Sequence, residues 1–168
     1  RLLRGNDIHR DNRTMNPGMQ IVLSILEQRS VTNNVSSLEP KAIRDLYDKV
    51  AERLQKWPPR IKHQDHQIEV NNGSITVREY FPKKDTHNGQ TLLYFHGGGF
   101  SIGSIRTHDT MCKHLVKLLG YKIFSVEYRL APEHPFPIPL EDCDQAMDWL
   151  VENAGNLGID SEKIAVGG

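Results

Sequence analysis

The sequence predicts an α/β fold built on a mostly parallel sheet with crossover helices, and three observations carry the prediction. Residues 92–95, 123–126 and 164–166 are short runs that are apolar but for Ser125, as strands covered on both faces are. Helical periods separate them, with Met111, Leu115 and Leu118 in the first interval and Leu140, Cys143, Met147, Leu150 and Val151 in the second. Strand, helix, strand, helix, strand is the order of parallel strands joined by crossovers.

Residues 1–16 are polar without a steady period and read as a flexible lead-in. Met19, Val22, Leu23 and Leu26 mark a short helix. Leu38, Ala42, Ile43, Leu46, Tyr47, Val50 and Leu54 mark a longer one, with Ser36 or Ser37 as its cap, Pro40 in its first turn and Trp57-Pro58-Pro59 beyond its end. From about residue 66 the period changes to two. Ile68, Val70, Ile75, Val77 and Tyr80 alternate with polar residues around Asn71-Asn72-Gly73, the pattern of an antiparallel hairpin. The expected organisation is a lead-in and helical cap segment over 1–60, then the N-terminal part of a core domain over 61–168. The last apolar run would be a central strand with nothing after it to cover its far side, so the fold is expected to be incomplete in this chain.

With 168 residues and 25% charged residues summing to a net charge of zero, the chain lacks the basic excess that nucleic acid or an anionic membrane surface selects. No apolar run reaches the ~20 residues of a transmembrane segment. The start, Arg1-Leu2-Leu3-Arg4-Gly5-Asn6, has neither an initiator Met nor an apolar signal core. That points to the cytoplasm and to an N-terminus that is trimmed or internal to a longer product. Cys112 and Cys143 fall on helical patterns and read as free thiols, two being too few for a stapled scaffold. His63-Gln64-Asp65-His66 is the closest histidine pair, but it lacks a third ligand at zinc spacing and reads as solvated loop; no metal is expected.

The chemistry is concentrated in Tyr94-Phe95-His96-Gly97-Gly98-Gly99-Phe100, an apolar strand running into three glycines. Glycines let the chain turn tightly and leave amides unshielded, which suits an oxyanion. Phe95 and Phe100-Ser101-Ile102 make the segment too apolar for a linker. A dinucleotide fingerprint is a rival, with Glu127 after the next strand as its acidic residue, but position 102 is Ile rather than the third Gly.

Together with Tyr128-Arg129-Leu130-Ala131-Pro132-Glu133-His134-Pro135-Phe136-Pro137 and Leu140-Glu141-Asp142-Cys143, this segment resembles the hormone-sensitive-lipase-like esterases of the α/β-hydrolases. The similarity runs over about residues 66–168, and the N-terminal helices resemble that branch's cap more loosely. The resemblance implies oxyanion-hole amides from Gly98 and Gly99, with Gly97 shaping the approach and His96 orienting the loop. Arg129 and Glu133 would form a buried structural network beside the site. Gly168 would be the first glycine of the nucleophile elbow, and the Ser, acid and His would all follow it in a C-terminal half of the same protein. Ser125, Asp109, Asp142 and His108 are not substitutes: Ser125 lies inside a strand, and capping accounts for the others. The expected activity is serine carboxylesterase action on short- to medium-chain acyl esters, needing no cofactor, with this chain alone inactive. The alternative is a non-catalytic small-molecule binder on the same fold.

Overall fold

A computed structural model describes residues 9–10, 13–14, 39–55, 57–84 and 88–168. The 19–26 helix and the Ser36/Ser37 cap lie outside the described residues. The chain divides into two units, Arg1–Ile43 and Arg44–Gly168. In the first, β1 (His9–Arg10) pairs antiparallel with β2 (Arg13–Thr14). Helix α1 (Pro40–Leu54) begins there and continues into the second unit. Pro40 stands at its first position, where a missing N–H leaves no bond unmade.

The second unit is a five-stranded sheet with helices on both faces. Its strands are β3 (Lys62–Val70), β4 (Gly73–Phe81), β5 (Thr91–Phe95), β6 (Lys122–Glu127) and β7 (Ile164–Gly167), in the order β3-β4-β6-β5-β7. β3 and β4 form the expected antiparallel hairpin, closed by Asn71 and Asn72 with Asn72 in the left-handed region at φ 60°. β4 meets β6 antiparallel; β5 runs parallel to both β6 and β7. The hairpin is longer than its apolar alternation, because β3 already starts at Lys62. His63 and His66 are therefore strand residues and not loop residues. His66 Nε2 lies 2.9 Å from the buried Glu79 carboxylate, which also accepts from Lys122 Nζ at 2.8 Å.

Strands β5 and β6 are buried on both sides, as their apolar runs require, whereas β7 lies at the margin of the described sheet with Ala165 and Val166 exposed. One face packs Val77, Leu93, Phe124 and Val126 against α3 (Ile138–Glu152) and α4 (Ala154–Leu157) through Ala146, Leu150 and Ala154. The other packs Tyr80, Tyr94 and Ile123 against α2 (Ile105–Leu119) through Cys112 and Val116. The helices occur where expected, and Leu150 is fully buried while Leu115, Cys143 and Met147 pack against the core, but the rest of each expected stripe is displaced. Met111, Leu118, Leu140 and Val151 are exposed, whereas Cys112, Val116, Asp142 and Ala146 face inward. Small residues let a helix approach a sheet closely, so the largest apolar side chains do not mark the contact line. On α1 likewise, Leu46 and Val50 are exposed. Ion pairs from Asp48 and Glu52 to Arg106, and Gln55 bonds to the carbonyls of Arg106 and Thr107, fasten this helix to the start of α2.

Ser104 caps α2, exchanging bonds with Thr107 in a capping box, and Gly120 ends it at φ 71°. This box was present in the sequence as Ser104-Ile105-Arg106-Thr107. Both cysteines are free, Cys112 buried and Cys143 half-buried. No helix among the described residues is long and apolar enough to cross a membrane.

Candidate active site

β5 ends at Phe95 and the chain turns at once into His96 and the three glycines. Gly98 has φ 135°, and a β-carbon there would stand 2.0 Å from Ile102 O, so no other residue holds this turn. The carbonyls of the loop are occupied. Ser101 N and Ile102 N both donate to Gly98 O at 3.1 Å, Ser101 Oγ donates to Gly99 O at 3.2 Å, and His96 Nδ1 lies 3.0 Å from Gly97 O. In a planar trans peptide the carbonyl and the following N–H point in opposite directions. The amides of Gly98 and Gly99 are the far ends of two such held peptides, and they donate to no partner among the described residues.

These glycines line a cleft of about 480 Å³ at the carboxyl ends of the parallel strands, together with Phe95, Phe100, Leu140, Met147 and Val166. Apolar walls around unengaged donors give a site able to stabilise an oxygen that gains charge, since a low dielectric strengthens such bonds.

His96 is buried beside this cleft. Gly97 O has no hydrogen to give, so Nδ1 carries the proton of their bond, and Nε2 is buried with no partner among the described residues. Burial pushes the ring's pKa down to about 4, leaving it neutral at pH 7. Tyr128 stacks on it with centroids 4.2 Å apart, and its hydroxyl donates to His96 O.

Arg129 and Glu133 do not pair with each other, contrary to the sequence expectation. Arg129 grips Asp142 with Nε and Nη2 at 2.9 and 2.6 Å, and its backbone N donates to Asp142 Oδ2 at 2.9 Å. Asp142 is fully buried in the second turn of α3 and is not a cap. Glu133 is exposed, and its partner is Arg44 of α1, bonded by Nη1 at 2.9 Å and Nη2 at 2.7 Å. Partner choice depends on tertiary neighbours, which spacing along the motif does not encode. Arg44 was missed altogether, because one arginine on the polar side of a helix gives no sequence signal.

The excluded residues have their own places. Asp109 is the fifth residue of α2, accepting from Tyr80 Oη at 3.0 Å and pairing with Lys113 at 2.6 Å, so capping does not account for it. His108 Nδ1 lies 2.9 Å from Thr107 Oγ1. Ser125 is buried inside β6, as expected. Glu127 accepts from Ile105 N at 2.5 Å, so it and Ser104 occupy the amides at the start of α2 that a dinucleotide phosphate would need. Gly168 lies against β5, where a β-carbon would stand 2.4 Å from Phe95 O. Among the described residues no group of three or more His, Cys, Asp or Glu side chains is placed to hold a metal ion.

Residues 92–168 match the family described as alpha/beta hydrolase fold. An arylesterase of Saccharolobus solfataricus is 37% identical over 138 residues, covering 80% of this chain and 45% of that protein. An ethyl acetate hydrolase of Pseudomonas putida is 44% identical over 97 residues, covering 56% of this chain and 30% of the relative. Among solved structures, an ester-hydrolase from the metagenome of Lake Arreo, complexed with a derivative of bipyridine phosphonate, superposes with TM-score 0.82. It is 32% identical and covers 91% of this chain and 50% of its own. A hyperthermophilic esterase from the archaeon Pyrobaculum calidifontis superposes with TM-score 0.73 at 39% identity, over 78% of this chain and 44% of that one. The chain thus spans about half the length of that arylesterase and of these two solved structures.

Proposed function

We propose, since this chain belongs to the α/β-hydrolase fold family, that it supplies the oxyanion-stabilising portion of a serine carboxylesterase. The observation that carries this reading is the pair of amides, Gly98 N and Gly99 N, that have no partner among the described residues and stand at the rim of a largely apolar cleft. In this reading an ester carbonyl sits in the cleft with its oxygen toward those two amides. A serine two residues beyond Gly168 attacks the carbonyl carbon as a histidine takes its hydroxyl proton, and the carbonyl π electrons move onto oxygen. The amides hold the resulting oxyanion until the alkoxide leaves with a proton from a histidine, and water then releases the acyl group by the same path. His96 takes no part in proton transfer: it is neutral, and its Nδ1 proton is committed to Gly97 O. It holds the Gly97–Gly98 peptide so that the Gly98 N–H faces the cleft.

The lining, apolar but for groups such as Asp144, favours uncharged esters, and a relative named for ethyl acetate supports a short acyl chain. Full-length protein treated with a fluorophosphonate should gain a single adduct on the serine after Gly168 and should hydrolyse p-nitrophenyl butyrate. Protein that forms no adduct and turns over no ester, yet binds an ester analogue in this cleft, would overturn the esterase reading in favour of a binder.

A further inference from the structure

We propose that Arg44 is a positioning residue for the Gly99 amide, acting through two consecutive peptide groups. The inference rests on the oxyanion-hole reading above and assigns that site a side chain from a different element. The Arg44 guanidinium spends every nitrogen on two segments: Nε donates to Ser101 O at 2.8 Å, and Nη2 donates to Ala131 O at 2.6 Å. Glu133 holds both terminal nitrogens from the other side. Those two segments are already tied to each other by Ala131 N donating to Phe100 O at 2.8 Å.

The relay runs along the backbone. Ser101 O and Ile102 N belong to one peptide group, so a donor on the oxygen fixes where the Ile102 N–H points. That N–H points at Gly98 O, 3.1 Å away. Gly98 O and Gly99 N belong to the next peptide group, and holding its oxygen turns the Gly99 N–H to the opposite side. Arg44, peptide 101–102 and peptide 98–99 therefore form one chain of donors and acceptors that ends on a free amide. Each bond also polarises its neighbour, so a cation at the head strengthens the donor at the tail. Lysine cannot replace the fork, having no planar set of donors to reach Ser101 O, Ala131 O and Glu133 together.

The test compares full-length wild type with Arg44→Met and Arg44→Lys, reading ester turnover, thermal unfolding and amide hydrogen exchange at Ile102 and Gly99. Arg44→Met is expected to lower kcat about tenfold, a fraction of what losing a whole oxyanion donor does. KM should stay within about twofold, because the aligned amide matters more as charge develops. Exchange at Ile102 should speed up, Arg44→Lys should restore little, and unfolding temperature should move by a few degrees only. Unchanged kcat, or unchanged exchange at Ile102, overturns the relay. If wild type hydrolyses no ester, the esterase reading fails separately, and exchange at Ile102 alone decides whether the relay exists. Should Arg44→Met not fold, Glu133→Gln is read instead. It should speed Ile102 exchange in the same direction, and no change there overturns the proposal.

Discussion

Arg129 and Arg44 each grip a carboxylate with two guanidinium nitrogens, in opposite surroundings. Arg129 closes on an Asp142 that is 0% exposed, while Arg44 closes on a Glu133 side chain that is 50% exposed. Both also bond main-chain carbonyls, Arg129 those of Asn71 and Asn72 in the hairpin turn, Arg44 those of Ser101 and Ala131 at the glycine loop. The buried pair joins the hairpin, the end of β6 and α3, so its loss opens the core. The open pair sits where water can replace either partner, so it shapes a loop without carrying the fold. Burial decides which of two guanidinium–carboxylate contacts can be altered and the protein still examined.

The largest expected effect is at the buried pair. Asp142→Ala strands the Arg129 charge and should lower unfolding free energy by about 3–5 kcal/mol, read by urea denaturation. A loss below about 1 kcal/mol would show that the two pairs do not differ as described. Acid should separate the regions next. A His96 ring with its pKa pushed down to about 4 by burial binds its proton less readily than the unfolded chain, whose histidine titrates near 6.5. Between about pH 6.5 and 4 the unfolded state therefore holds more protons, and stability falls as pH falls. Replacing His96 with Phe should flatten the stability profile over that window.

Glu133 should yield only at lower pH still. The Arg44 hydrogen bonds hold its carboxyl down to about 2, so the pair's contribution is complete above the ordinary glutamate value and lost as pH falls through about 2. An NMR titration of the Glu133 carboxyl should give that low midpoint, and Arg44→Met should move it up toward the ordinary glutamate value, the backbone N–H of Glu133 still holding it down in part. The smallest effect isolates partnership from burial. Ser125 Oγ is as buried as Asp142 but faces the buried Cys112 thiol, a weak partner. Ser125→Ala removes no strong bond and should change stability by less than about 1 kcal/mol.

The same contrast explains what the sequence disclosed. Residues 92–95 and 123–126 announced buried parallel strands, because a strand covered on both faces has no polar alternation to confuse it. Asn71-Asn72-Gly73 announced the hairpin turn through residues that accept a positive φ. His96-Gly97-Gly98-Gly99 announced a tight loop after β5, because the backbone at Gly98 leaves no room for a β-carbon. Lys62 to Asp65 went unrecognised as strand, since an edge whose side chains face water needs no apolar period. The partners of Arg129 and Glu133 were misassigned for a different reason: Asp142 and Arg44 lie 13 and 89 residues away along the chain. The orienting bond from Tyr128 Oη to His96 O was equally silent, because tyrosine in a motif states nothing of which carbonyl it meets.

The polar half of β3 has a consequence for the molecule in crowded solution. A sheet margin that displays a bare row of amides and carbonyls invites strands from other chains to zip onto it. Here that margin carries Lys62, His63, Gln64 and Asp65, all exposed, so a second copy aligning there meets mixed charge and strongly hydrated groups. The residues that hid this strand from its own sequence pattern are those that keep its free edge from becoming a template for aggregation.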